Sequence, residues 1–146
     1  MRPEPDSIRQ RRLTDFLDRV WSMGDGDAVD AFLADSYTIH NDPGDPWEGQ
    51  TLTRDGFRER LATSRAAAPD QRFHPVHMAE SGDAVAVAWH WTGTHTGHGP
   101  GLPPPTGRAL AMTGATFYFF DADHRLTGHW QIADRLGIYR QITDQG

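Results

Sequence analysis

Asp134 lies in the segment Trp130-Gln131-Ile132-Ala133-Asp134. If that segment is a strand, its two-residue period places the carboxylate on one face with Trp130 and Ile132. Desolvation among bulky apolar groups raises a carboxyl pKa and lets the group exchange protons near neutral pH. Asp134 is therefore the first candidate for a general acid or base. The competing role is structural, because an aspartate directly before Arg135 can cap a helix that begins there. His95 continues the face of Trp89, Trp91 and Gly93, where it can orient a carbonyl, donate a proton, or simply satisfy a strand end. His40 stands at a strand end before Asn41 and Asp42, and turn chemistry is the expected role of those two. His129 and Gln131 have the opposite parity to Trp130 and are expected on the outer face or at a subunit contact.

The aromatic content suggests what such groups would act on. Trp21, Tyr37, Trp89, Trp91, Met112, Tyr118 and Trp130 are the expected wall of an apolar cavity; the alternative is an ordinary core. A chain of 146 residues does not need five tryptophans to fold, and each brings an N–H that wants a partner. An aromatic cleft suits a planar or polyene ligand. Residues 96–107, rich in glycine and proline, follow directly from His95 and read either as a lid over that cavity or as a plain solvent loop. No metal is expected. His95 and His98 straddle a strand end and a loop, His74 and His77 point to opposite faces of a strand, and neither pair gives a compact three-ligand geometry. Phosphate-cradling glycine loops and the G-x-S-x-G nucleophile turn are missing.

These side chains need elements to hold them. Ile8, Leu13, Phe16, Leu17, Val20 and Trp21 recur at three- and four-residue steps, which predicts an amphipathic helix capped by Asp6 or Ser7 and stopped by Gly24. A short helix with Ala28, Phe32 and Leu33 follows, then a strand over 36–40. Thr53 caps a third helix carrying Phe57 and Leu61. From residue 71 the pattern alternates. Strands are predicted over 71–80, 84–95, 108–120 and 125–134, with Pro75 marking an edge or a bulge and Ser81-Gly82-Asp83 a hairpin. Helices first and an antiparallel meander after them predict an α+β fold, one curved sheet around about three N-terminal helices, in a single domain spanning 1–146 with residues 1–6 frayed.

Fourteen basic residues stand against twenty acidic ones, for a formal charge of −6. With no basic stripe beyond a helix face of Arg9, Arg11, Arg12 and Arg19, nucleic acid is not an expected partner. No apolar run is long enough to span a membrane, the first residues have no signal-peptide core, and a cytoplasmic location is the default expectation. The lack of cysteine excludes thiolate metal sites and a cysteine nucleophile.

Several segments together carry a resemblance: Trp21-Ser22-Met23-Gly24-Asp25, Ala68-Pro69-Asp70-Gln71-Arg72-Phe73, Gly82-Asp83-Ala84-Val85-Ala86-Val87, Thr92-Gly93-Thr94-His95-Thr96-Gly97, Pro104-Pro105-Thr106-Gly107-Arg108 and the run from His129 to Gln141. In this order and spacing, over about residues 10–142, the chain resembles the SnoaL-like polyketide cyclases of the nuclear-transport-factor-two-like superfamily. The resemblance implies a cone of helices wrapped by a bent sheet, a deep apolar cavity, no cofactor and a homodimer. It implies that Asp134 is the general acid/base of an intramolecular aldol closure, and that His40, Asn41 and Asp42 lie where related cones place polar groups at the pocket mouth, beside the turn role expected of the last two. The expected function is ring closure in a polyketide-like natural-product intermediate, by aspartate-assisted aldol or conjugate-addition chemistry or by shape-directed cycloaddition of a polyene, as in antibiotic biosynthesis. The same cone also hosts epoxide hydrolases, isomerases and plain binders of hydrophobic ligands.

Overall fold

The structure is a computed structural model that describes residue 5 and residues 7–144; the rest of the expected frayed terminus, and Asp6 as a cap, lie outside these. Ser7 caps helix α1 (Ile8–Phe16), its hydroxyl accepting from the Gln10 amide at 3.1 Å. The helix then widens into a π-helical stretch, Leu17–Ser22. The wider turn shifts the side-chain phase, so that Leu17, Val20, Trp21 and Ser22 are all buried. Gly24, at φ +71°, ends the helix in the left-handed region that glycine adopts without strain. Ile8, expected on the buried stripe, is instead exposed.

A 3₁₀ turn (Gly26–Ala28) leads into α2 (Val29–Phe32) and then β1 (Leu33–Asn41). A short strand, β2 (Thr51–Thr53), precedes α3 (Arg54–Arg65), which Thr53 caps through the Gly56 amide. The remaining strands are β3 (Arg72–Ser81), β4 (Ala84–Thr94), β5 (Ala109–Phe120) and β6 (Leu126–Ala133). They are followed by α4 (Arg135–Thr143). The six strands form one unclosed sheet in the order β2-β1-β6-β5-β4-β3. All neighbours are antiparallel except the pair β1·β6. The fold is thus α+β with a curved mixed sheet, as the pattern predicted. Pro75 lies on the edge strand beside a bulge, so its missing N–H removes no ladder bond from the sheet interior.

The inner face of the sheet carries Val85, Val87, Trp89 and Trp91 from β4 and Leu110, Tyr118 and Phe120 from β5. These pack on the buried stripes of α1 and α3. In β6 the pairing skips a residue: Phe120 faces Leu126 and Phe119 faces Gly128, leaving Thr127 as a bulge. One inserted residue exchanges the faces of everything beyond it. Leu126 points inward, and after the bulge His129 and Gln131 do too, whereas Trp130 and Ile132 face solvent at 41% and 50% exposure. Among the described residues no helix is long and apolar enough to cross a membrane.

Candidate active site

Between the sheet and the helices lies a cavity of about 390 Å³. Six of the seven expected wall residues line it: Trp21, Tyr37, Trp89, Trp91, Met112 and Tyr118. Trp130 does not, for the register reason above. Pro100, Gly101 and Leu102 of the 96–107 loop also border the cavity, and the loop is anchored where the Thr96 and Gly97 amides donate to Ala67 O.

The three expected catalytic residues are not brought together in this space. Asp134 is exposed at the start of α4, where its carboxylate accepts from the Gly137 amide at 2.9 Å. It is the helix cap, and its expected inward orientation fails because the bulge reversed the parity of the strand before it. His40 is exposed on the outer face, edge-on to Phe119. His95 is fully buried but borders the cavity nowhere. Its Nδ1 meets Thr106 Oγ1 at 3.1 Å and its Nε2 is without a partner.

A different polar cluster occupies one end of the cavity. Asp42, at 0% exposure, sits just beyond β1. Its Oδ2 accepts from His129 Nε2 at 2.9 Å and its Oδ1 from Arg135 at 2.6 Å. Gln131 Nε2 donates to both oxygens at 3.3 and 3.4 Å. His129, 2% exposed, meets the Tyr37 hydroxyl at 2.6 Å through Nδ1. Arg60, on the buried stripe of α3 with Phe57 and Leu61, binds Asp45 at 2.5 Å and Asp42 at 3.4 Å and stacks over Trp21. Its Nη1 makes no hydrogen bond. Tyr37, His129, Gln131, Arg60, Asp45 and Arg135 border the cavity; Asp42 lies behind them.

The electrostatics follow from this arrangement. Burial pushes the Asp42 pKa up, but the His129 hydrogen bond and the Arg135 charge outweigh it and hold the carboxyl below its ordinary value. Burial pushes the His129 pKa down more than the Asp42 hydrogen bond raises it, so the imidazole rests neutral. Burial, then the neighbouring Tyr118, keeps Tyr37 a phenol. The neutral His129 must donate Nε2–H to the ionised Asp42, which leaves Nδ1 bare to accept from Tyr37. This is an oriented base: a carboxylate fixes the tautomer, and the imidazole reaches the cavity through a phenol.

The two depressed pKa values of this cluster contribute to the acid stability. An unfolded chain takes up protons at His129 below about pH 6.5 and at Asp42 below about 3.8. The folded chain resists both, so its stability falls as pH drops through those values. Urea midpoints should decline from about pH 6.5 downward, and in His129→Phe the upper part of that decline should be lost.

Sequence reasoning missed this cluster for identifiable reasons. Turn chemistry is the expected role of Asp42 because it stands in Asn41-Asp42-Pro43-Gly44, and His129 and Gln131 are expected outside because their parity is opposite to Trp130, whose bulk marks the expected inner face. One signal was available for Arg60, an arginine spaced three residues after Phe57 and one before Leu61 on a buried stripe. Among the described residues no three histidine or acidic side chains converge to hold a metal ion.

A sequence profile of the SnoaL-like polyketide cyclases matches residues 11–142. A candidate polyketide cyclase from Acidithiobacillus ferrooxidans is 48% identical, with 96% of this chain and 97% of that chain covered and a TM-score of 0.90. IdmH of Streptomyces antibioticus, a candidate polyketide cyclase, is 23% identical over 94% of this chain and 100% of its own (TM-score 0.77). AclR of Streptomyces galilaeus, a candidate hydroxylase, is 17% identical over 94% of this chain and 84% of its own (TM-score 0.73). These last two likenesses speak to the fold. No curated protein matches the sequence.

Proposed function

The chain belongs to the SnoaL-like polyketide cyclase family, and from that premise we propose that it closes a ring in a neutral polyketide-like intermediate by proton transfer through His129, which Asp42 orients and Tyr37 links to the cavity. The observation that carries this reading is the chain of contacts Tyr37–His129–Asp42, buried at the polar end of an aromatic cavity. In an aldol closure the base removes a proton, and the released pair forms the C–C bond. The carbonyl π pair moves to oxygen, and the proton returns there, so substrate and product are isomers. Arg60 borders the cavity, its Nη1 has hydrogen-bonding capacity unused, and it would hold the carbonyl oxygen as charge develops. The aromatic walls would fold the linear chain so that its reacting ends meet. The 96–107 loop would serve as the lid.

The test is incubation with linear poly-keto and polyene substrates in ¹⁸O-labelled water. An isomeric, ring-containing product without label, lost in His129→Phe, supports the proposal. A hydrated, labelled product would replace it with the second reading, epoxide opening. Arg60 held between Asp42 and Asp45 favours that alternative, because an acid–arginine–acid set can hold a water. It is the weaker reading because Asp42 does not border the cavity and both its oxygens are already engaged.

We also propose a homodimer through the outer sheet face. There Phe117, Trp130 and Ile132 stand adjacent and half-exposed, with Phe117 and Trp130 edge-to-face at 6.3 Å. An apolar patch of that kind on a charged surface marks a binding face, and the inferred occupant is a second copy. Trp130→Glu should convert a dimer to a monomer in sedimentation, with the fold retained.

A further inference from the structure

Beyond Asp42 the polar cluster continues as a single buried line. Trp89 Nε1 donates to Thr116 Oγ1 at 2.9 Å, Thr116 donates to Gln131 Oε1 at 2.7 Å, and Gln131 Nε2 donates to Asp42. An indole nitrogen can only donate. Thr116, having accepted from it, passes its own proton to the Gln131 carbonyl, which turns the amide NH₂ toward Asp42. The reversed amide would set its oxygen against an ionised carboxylate, two acceptors facing each other in a buried site. Asp42 then accepts from His129 Nε2–H, and His129 Nδ1 accepts from Tyr37. The indole is held in place by Gly114, where a Cβ would stand 2.3 Å from the Trp89 ring.

Resting on the reading above, we infer that the acceptor-only Asp42, held by a Gln131 amide whose orientation Trp89 fixes through Thr116, sets the direction of this chain, so that Tyr37 meets the substrate as a proton acceptor and the site selects neutral ligands presenting an enol or phenol hydroxyl. The single phenolic proton of Tyr37 is committed to His129, and only its lone pairs remain for the cavity. Arg60 and Arg135 are balanced by Asp42 and Asp45 around a neutral imidazole, so there is no spare charge to hold a carboxylate or phosphate. The proton step balances without a co-reactant. The substrate O–H proton passes to Tyr37 Oη while the tyrosine proton passes to His129 Nδ1. The O–H pair becomes that of the enolate, and the imidazolium stays paired with Asp42. Trp89 and Thr116 are positioning residues in this scheme.

The experiment uses 2-naphthol and 2-methoxynaphthalene as probes, with ¹⁵N NMR of the His129 ring. In the unmodified protein His129 is expected as the Nε2–H tautomer, and naphthol binds about tenfold more tightly than its ether, the worth of one hydrogen bond. In Asp42→Asn the preference should shrink to within about threefold and the ring should carry its proton on Nδ1; in Thr116→Val, where the carboxylate still accepts from Nε2–H, the tautomer should be kept. An Nδ1–H tautomer in the unmodified protein, or an Asp42→Asn variant that keeps both the preference and the tautomer, would overturn the inference. Neither readout involves turnover. A failed ring-closure assay with the naphthol preference and the tautomer intact would therefore sink the function proposed above and leave the direction of the chain standing; an Nδ1–H tautomer would sink both, and a lost preference with the Nε2–H tautomer kept would sink the ligand selection alone.

Discussion

Asp42→Asn should lower kcat for ring closure by about 10³- to 10⁴-fold while changing KM only a few-fold. Asparagine keeps the shape of aspartate but brings two N–H donors to a place that receives them from four sides. His129, Gln131, Arg60 and Arg135 all donate to this one carboxylate. To avoid an N–H facing an N–H, the imidazole must give up its Nε2 proton and carry one on Nδ1, where it opposes the Tyr37 hydroxyl. The base is then closed to the cavity, and an imidazolium formed in the reaction has no counter-charge. Steady-state kinetics alongside a thermal melt separate this effect from misfolding. Asp134→Asn is the contrast. Asparagine caps a helix as well as aspartate does, and the side chain lies outside the cavity, so turnover should stay within about threefold. If the Asp134 variant were dead and the Asp42 variant active, the mechanism would be wrong.

Arg60→Leu should destabilise the fold by about 3–5 kcal/mol at pH 7, lowering Tm by roughly 10–15 °C. Arg60 is 4% exposed and its guanidinium lies against two buried carboxylates. Removing it leaves Asp45 without its 2.5 Å partner, and Arg135 reaches Asp45 only at 3.9 Å. The aliphatic replacement keeps the packing on Trp21 and Phe57, so the loss comes from the uncompensated charge. One control identifies that cause: adding Asp45→Asn should recover most of the loss. A loss that persists in the double variant would point to packing instead.

The architecture could be read from the sequence because its signals are local. The Ser7 and Thr53 caps, the stop at Gly24, the alternation of Val85, Val87, Trp89 and Trp91, and Pro75 at an edge each depend on residues within one turn or one strand. The cavity wall was legible for the same reason in Tyr37, Trp89, Trp91, Met112 and Tyr118. The polar site was not, because it depends on two events that alternation cannot register. A β-bulge reverses β6 in its middle, and a segment dense in turn residues delivers Asp42 into the interior instead of leaving it at the surface. Both placed the acid wrongly, with Asp134 expected inward and Asp42 assigned to a turn. The pairing that decides the matter, Phe120 with Leu126 but Phe119 with Gly128, is a relation between strands.

The bulge at Thr127 therefore governs two properties at once. Smoothing the bulge while keeping the residue, so that plain alternation ran on from Leu126, would carry His129 and Gln131 to the exterior and bring Trp130 and Ile132 into the hollow. The strand would trade polar chemistry for grease and, in the same step, strip the surface of its apolar patch. Cutting Thr127 out altogether would do neither, because Phe120 with Leu126 and Phe119 with Gly128 would then be consecutive pairs and both faces would stay as they are.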